Sequence, residues 1–278
     1  MVETAALTLR DYRTDVKPIW CPGCGDFGVL SSTHKALVQL QLRPENVVIA
    51  SGIGCSSRLP YFVKTYGIHG LHGRSLPLAT GMKLARPDLT VLAYGGDGDM
   101  FSIGTGHTPH AARRNVDITA VCMDNQIYGL TKAQTSPTSV RGYKSKSTPY
   151  GSPDEPLNPV LLALASGASF VARAYSARAK ELTDLLIKGI QHKGFAFIHV
   201  KSPCVEFINT YDMLDRLVEE MPVDHDPSDL QAAMNLAVTE EKVHVGVFYE
   251  SERPVYEEVA HSWFKPTDFD ADAFFRRF

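Results

Sequence analysis

The chain has no apolar stretch longer than a strand, so no segment is long enough to cross a membrane as a helix. It has no run of Lys and Arg able to follow a phosphate backbone, and a formal net charge of −3 points away from nucleic acid. The opening residues, "MVETAALTLRDYRTD", lack a basic start followed by an apolar core and do not read as a secretory signal. No internal repeat and no long low-complexity tract stand out. Cysteine is scarce, with five in 278 residues. A cytoplasmic location is expected, where thiols stay reduced. So few cysteines then argue for metal binding or catalysis rather than a disulfide framework. The composition is 44% hydrophobic and 21% charged, ordinary for a globular protein, and the length suits one large α/β domain or two small ones.

The apolar runs alternate with helical patterns. "NVVIASGIG" (46–54), "LTVLAYGGDGD" (89–99), "VDITAVCMDN" (116–125), "ASFVARAY" (168–175) and "GFAFIHVKSPC" (194–204) read as strands. Helical spacing is expected from Phe27 to about Leu40, from Leu76 to Ala85, from the Gly-Asp turn to about Arg114, and over Ala179–Lys193. Strands apolar on both faces, separated by helices, predict an α/β fold: a doubly wound, mostly parallel sheet. The polar stretch Gly129–Pro156 is long for a connection and reads as a lid or partner-binding segment. Beyond Cys204 a helix near Ser228–Ala237, a strand "VHVGVFYE" and an acidic-aromatic tail read as an appended arm.

Two features carry chemistry. In "GGDGDMFSIGTG" (95–106) a buried strand delivers Asp97 to a glycine-rich turn, where an open α/β sheet binds ligands. Free amides there suit a diphosphate and the carboxylate suits Mg²⁺. The next strand ends at "DNQIYGLT", which brings Asn125 out beside Asp97. Cys21, Cys24, Cys55 and Cys204 each sit beside Pro or Gly at an element end, whereas Cys122 lies inside an apolar strand as a small core residue. Four loop thiols fit zinc or a [4Fe–4S] cluster equally well on local sequence alone.

"GDGD" followed by "NQIYGLT", together with "WCPGCGDFG", "IGCSSRLPY", "HGLHGRSLPLATGMKLARPDLTV" and "FIHVKSPC" in this order, resembles the β subunits of the 2-oxoacid:ferredoxin oxidoreductases from Pro18 to Cys204. The resemblance implies thiamine diphosphate, with Asp97 and Asn125 holding Mg²⁺ by side chain and Ile127 by its carbonyl. Gly98, Asp99, Gly129 and Leu130 would contact the diphosphate, and Ile53, Gly54, Cys55, Ser56 and His72 would border the cofactor. Oxidising a thiamine-bound substrate needs an electron acceptor, which zinc is not. By the family pattern, Cys21, Cys24, Cys55 and Cys204 ligate one [4Fe–4S] cluster. The chain would divide into a segment 1–25 with the first cluster ligands, a thiamine diphosphate-binding domain 26–204 and a C-terminal extension 205–278.

The form "IWCPGCGDFG" is most similar to subunits acting on 2-oxoglutarate, and Arg58 and Lys132 are cations placed to meet a second carboxylate. The implied reaction is CoA-dependent oxidative decarboxylation. Pyruvate is the other family substrate. The pyrimidine-binding domain and its activating Glu would come from an α subunit, in a heterodimer or a dimer of heterodimers. With no CxxCxxCxxxCP run in the chain, electrons would pass to a separate ferredoxin. The competing readings are a non-oxidative thiamine-dependent decarboxylase subunit and a non-catalytic module with a structural zinc.

Overall fold

The structure, a computed structural model, describes residues 6–239, 241–263 and 276. The acidic-aromatic tail lies largely outside them, as do the first five residues of the N-terminal segment.

The strands are β1 (Val47–Ser51), β2 (Tyr66–His69), β3 (Thr90–Gly96), β4 (Thr119–Asp124), β5 (Ile127–Tyr128), β6 (Gln134–Thr135), β7 (Phe170–Tyr175), β8 (Ala196–Lys201), β9 (Val218–Glu220) and β10 (Val243–Glu250). The helices are α1 (Leu9–Tyr12), α2 (Asp26–Leu40), α3 (Ser75–Ala85), α4 (Asp97–Phe101), α5 (His107–Arg114), α6 (Pro159–Ala165), α7 (Ala179–Gln191), α8 (Tyr211–Leu217), α9 (Leu230–Ala237) and α10 (Tyr256–Trp263). Eight strands form one sheet in the order β2-β1-β3-β4-β8-β7-β10-β9, and β5 pairs with β6 in a separate hairpin. All neighbours in the large sheet run parallel except β10 against β7.

Every residue of β1, β4 and β7 is buried, as strands covered on both faces require. One face packs Val29, Leu37, Leu182 and Leu186 of α2 and α7 against Ile49, Tyr94 and Ile198. The other packs Leu76, Ala79, Ala112 and Val160 against Ala93, Ala120 and Phe197. Cys122 is wholly buried on that second face, as its apolar strand predicts. The C-terminal stretch joins the sheet through β10, so a strand ties it to the core.

Three details differ from the sequence reading. The helix expected from the Gly-Asp turn to Arg114 is broken between α4 and α5. The cause is a close backbone crossing: a Cβ on Gly73 would lie 2.7 Å from the Gly104 amide nitrogen, and one on Gly104 would lie 2.5 Å from the Asp99 carbonyl. The strand β2 has no signature in the sequence, because it is a short, largely exposed edge strand without alternation. The short α1 has none either; it is docked by Tyr12, whose hydroxyl donates to the carbonyls of Leu37 (3.0 Å) and Leu42 (2.6 Å).

The topology fixes where a site can form. β1, β3, β4 and β8 are adjacent and parallel, so their C-terminal ends open on one edge of the sheet. The loops leaving those ends carry Cys55, Asp97, Asn125 and Cys204.

Candidate functional site

A cavity of about 470 Å³ opens at this edge. Its wall includes the Ile53–Ser56 loop, His72, the Gly96–Asp99 turn, and Asn125 with the Ile127–Thr131 segment. All twelve residues expected to meet the thiamine cofactor or Mg²⁺ are in that wall. Arg58 and Lys132 are not. Arg58 is half-buried in the turn after Cys55, its amide donating to the Cys55 carbonyl (3.3 Å). Lys132 is exposed at the tip of the β5–β6 hairpin, where it and Ala133 hold φ angles of 80° and 68°. Two consecutive non-glycine residues in the left-handed region are strained backbone, the kind that function retains.

The cysteine loops are stitched together by hydrogen bonds that leave the thiols free. The Trp20 indole donates to the Cys55 carbonyl (2.7 Å), and its ring packs edge-on against Phe27 and Phe62. The Gly25 amide donates to the Pro203 carbonyl (3.0 Å). A Cβ on Gly25 would meet the Ser202 hydroxyl at 2.7 Å, so only glycine lets the first cysteine turn approach Cys204. All five cysteines are free thiols. Burial, and then the Asp26 charge, raises the Cys24 thiol and pushes Cys55 up to about 11. Such thiols keep their protons unless a positive centre takes the proton's place. Asp26 is itself pushed up to about 6 by burial, although Ser202 donates to it at 2.7 Å. Among the described residues no three His, Cys, Asp or Glu side chains are gathered tightly enough to hold a single metal ion.

Gly129 ties the two halves of the site together. A methyl there would touch Asn125 Nδ2 at 3.5 Å, Cys55 Sγ at 3.8 Å and Cys204 Sγ at 4.0 Å. The turn after β4 and two of the four loop thiols are thus one residue apart.

Asp97 and Asp99 differ in their surroundings. Asp99 is buried, and its Oδ1 accepts from the amides of Ile53 (2.9 Å) and Gly73 (2.7 Å) and lies 3.0 Å from His72 Nδ1. It clamps the two loops that flank the cavity, while its Oδ2 has no partner among the described residues. Asp97 Oδ2 accepts from the hydroxyls of Ser136 (2.5 Å) and Thr138 (2.8 Å). Burial and the neighbouring Asp124 push Asp97 up to about 7. A carboxylate held this way calls for a cation beside it.

Sequence reasoning missed the group behind Asp97. Asp124 accepts from His199 Nε2 and Lys201 Nζ, both at 2.8 Å. Burial opposes its charge, but Lys201 and His199 outweigh that and hold it well below the usual carboxylate range. The signal was present in "FIHVKS": a histidine and a lysine in a buried parallel strand need a partner. Asp26 and Tyr128, which also line the cavity, had no such signal.

Residues 52–200 match the family "Thiamine pyrophosphate enzyme, C-terminal TPP binding domain", and residues 204–264 match the C-terminal family of the pyruvate ferredoxin oxidoreductase beta chain. The chain is 44% identical over 259 residues to 2-oxoacid:ferredoxin oxidoreductase 1, subunit beta, of Aeropyrum pernix, covering 88% of this chain and 81% of that one. It is 39% identical over 257 residues to 2-oxoglutarate synthase subunit KorB of Methanocaldococcus jannaschii, covering 91% and 95%. Among solved structures it resembles a 2-oxoglutarate:ferredoxin oxidoreductase from Magnetococcus marinus with 2-oxoglutarate, coenzyme A and succinyl-CoA bound. The TM-score is 0.93 at 42% identity, over 99% of this chain and 97% of that one.

Proposed function

The chain belongs to the β subunits of the 2-oxoacid:ferredoxin oxidoreductases, and on that premise we propose that it serves the CoA-dependent oxidation of 2-oxoglutarate to succinyl-CoA and CO₂. The observation that carries this reading is Gly129, whose Cβ position lies within 4.0 Å of both an expected Mg²⁺ ligand and two expected cluster thiols. Asp97 and Asn125 would hold Mg²⁺ by side chain and Ile127 by its carbonyl. Cys21, Cys24, Cys55 and Cys204 would hold a [4Fe–4S] cluster. The chain's donors fit both groups: a buried carboxylate short of positive charge, and free thiols in loops tied to one another. Thiols this close to a site for oxidative chemistry favour a cluster over zinc, which has no redox chemistry to offer. When bound, thiamine diphosphate supplies the carbanion chemistry that releases CO₂, and an iron–sulfur cluster supplies a one-electron exit.

The chain's own residues bind, orient and exclude water. Asp99 fixes the Ile53 and Gly73 loops, and with them His72, against the cofactor space. Met123, Ile127 and Leu130 give that space an apolar lining, which keeps water from a reactive carbon. The second carboxylate of 2-oxoglutarate would be met by Arg58, with Lys132 on the hairpin tip as the other cation. An α subunit supplies the pyrimidine-binding domain and activating Glu, and a separate ferredoxin takes the electrons.

The test is ferredoxin reduction by the α–β complex with 2-oxoglutarate or pyruvate, with and without CoA. Activity with 2-oxoglutarate that requires CoA is expected, and Arg58→Ala should lower kcat/KM for 2-oxoglutarate at least ~10-fold more than for pyruvate, as loss of a charge-assisted contact implies. CO₂ release without CoA or ferredoxin would instead identify a non-oxidative decarboxylase. Equal losses on both substrates would remove Arg58 from specificity.

A further inference from the structure

The polar stretch that reads as a lid sends one short segment, Ser136–Ser139, down into the protein. Ser136, Thr138 and Ser139 are all buried. The Ser139 hydroxyl donates to the Gln126 carbonyl (2.6 Å) and accepts from the Ser136 amide (2.8 Å). The segment is therefore fastened to the turn that presents Asn125 and Ile127. Two hydroxyls from it, of Ser136 and Thr138, land on the same oxygen of Asp97, Oδ2. Neither engages Oδ1.

Thr138 makes a second contact. Its hydroxyl oxygen lies 2.9 Å from Asp124 Oδ1, and the same Asp124 oxygen accepts from the Gln126 amide at 2.9 Å. One hydroxyl carries one hydrogen, yet it bridges two carboxylates. That arrangement needs positive charge nearby. Lys201 supplies it on the Asp124 side, at 2.8 Å from Oδ2, with His199 donating to the same oxygen. On the Asp97 side the described side chains supply hydroxyls only.

We propose that Thr138, set against Asp124, is a positioning residue for Asp97: by holding Oδ2 it fixes the carboxylate's rotation in the form that would bind the metal, and it couples that setting to the turn bearing Asn125 and Ile127. The proposal rests on the reading that Asp97 and Asn125 hold Mg²⁺ for a diphosphate. Its physical basis is that outer partners of a metal ligand fix the ligand's orientation, and their loss lowers metal affinity about 10–100-fold. Asp124, whose oxygens accept from the Gln126 amide, His199 and Lys201, is the rigid post against which the threonine hydroxyl lies.

The test uses the α–β complex freed of metal and thiamine diphosphate by chelation and dialysis. Binding of thiamine diphosphate is followed by calorimetry as Mg²⁺ is raised, with no substrate present. Thr138→Val, which keeps the shape and removes the hydroxyl, should raise the half-saturating Mg²⁺ concentration about 10–100-fold. Thr138→Ser should restore it to within a few-fold of wild type. Thermal unfolding of the metal-free complexes distinguishes a loosened fold from a misplaced ligand, and the proposal expects similar midpoints. A Thr138→Val complex with the wild-type Mg²⁺ requirement overturns the proposal. If that variant yields no folded complex, Ser136→Ala, which removes the other hydroxyl from Oδ2, decides in the same titration. A raised requirement supports the proposal and an unchanged one overturns it. Absence of any Mg²⁺-dependent binding in wild type overturns the underlying functional reading, and is recognisable because it needs no variant.

Discussion

Asp97, Asp99 and Asp124 are three buried carboxylates within one cavity wall and its backing, and each is set to a different task by its partners. Asp99 is held by backbone amides, Asp124 by the Lys201 ammonium and the His199 imidazole, and Asp97 by hydroxyls alone among the described side chains. The spacing of Asp97 and Asn125 was legible because each follows an apolar strand. That His199 and Lys201 need a partner was legible, but that the partner is Asp124 was not, because register, not spacing, brings strands β4 and β8 together. His199 carries a measurable consequence. Its Nδ1 accepts from Arg173 (3.4 Å) and its Nε2 donates to Asp124, so a second proton would face a guanidinium. Burial and Lys201 push His199 down to about 4. The unfolded chain, titrating near ~6.5, then binds the proton more readily, and this contribution to stability is complete above about pH 6.5 and lost as pH falls toward about 4. His199→Gln should flatten that loss. Melting curves across this pH window should fall more steeply for wild type than for the variant, and parallel curves would contradict the assignment.

At the scale of elements, the sheet and its direction followed from strands apolar on both faces, and the site followed from the rule that ligands sit at the carboxyl ends of such strands. The break between α4 and α5 was not legible, since it depends on Gly73 and Gly104 packing backbone to backbone, a contact no local pattern encodes. The same holds for α2, which carries the first cysteine turn on its N-terminus. A Cβ on Gly28 would lie 2.2 Å from the Ser176 carbonyl oxygen, so α2 lies against the end of β7 only because residue 28 is glycine. Gly28→Ala should cost about 1–3 kcal/mol, with a matching fall in the thermal midpoint. An unchanged midpoint would show that the helix can move without penalty.

At the scale of the whole molecule, one α/β sheet brings the residues proposed for Mg²⁺ and for the cluster to one edge, and membership of a β-subunit family makes an α subunit part of the account. The polar segment 129–156 stands out in the sequence by its length and composition, and its first residues, Gly129, Leu130 and Thr131, lie in the cavity wall. That it also sends Ser136 and Thr138 to the back of Asp97 is visible only in three dimensions. The central claim is that four loop cysteines hold an iron–sulfur cluster beside a thiamine site. The most direct measurement is iron, acid-labile sulfide, zinc and bound thiamine diphosphate in anaerobically purified wild-type and Cys24→Ser protein. The account predicts brown wild-type protein with iron and sulfide in equal amounts, in the proportion of one [4Fe–4S] cluster per chain. It also predicts that Cys24→Ser loses both while still binding thiamine diphosphate with Mg²⁺. Zinc without iron or sulfide in the wild type would contradict it.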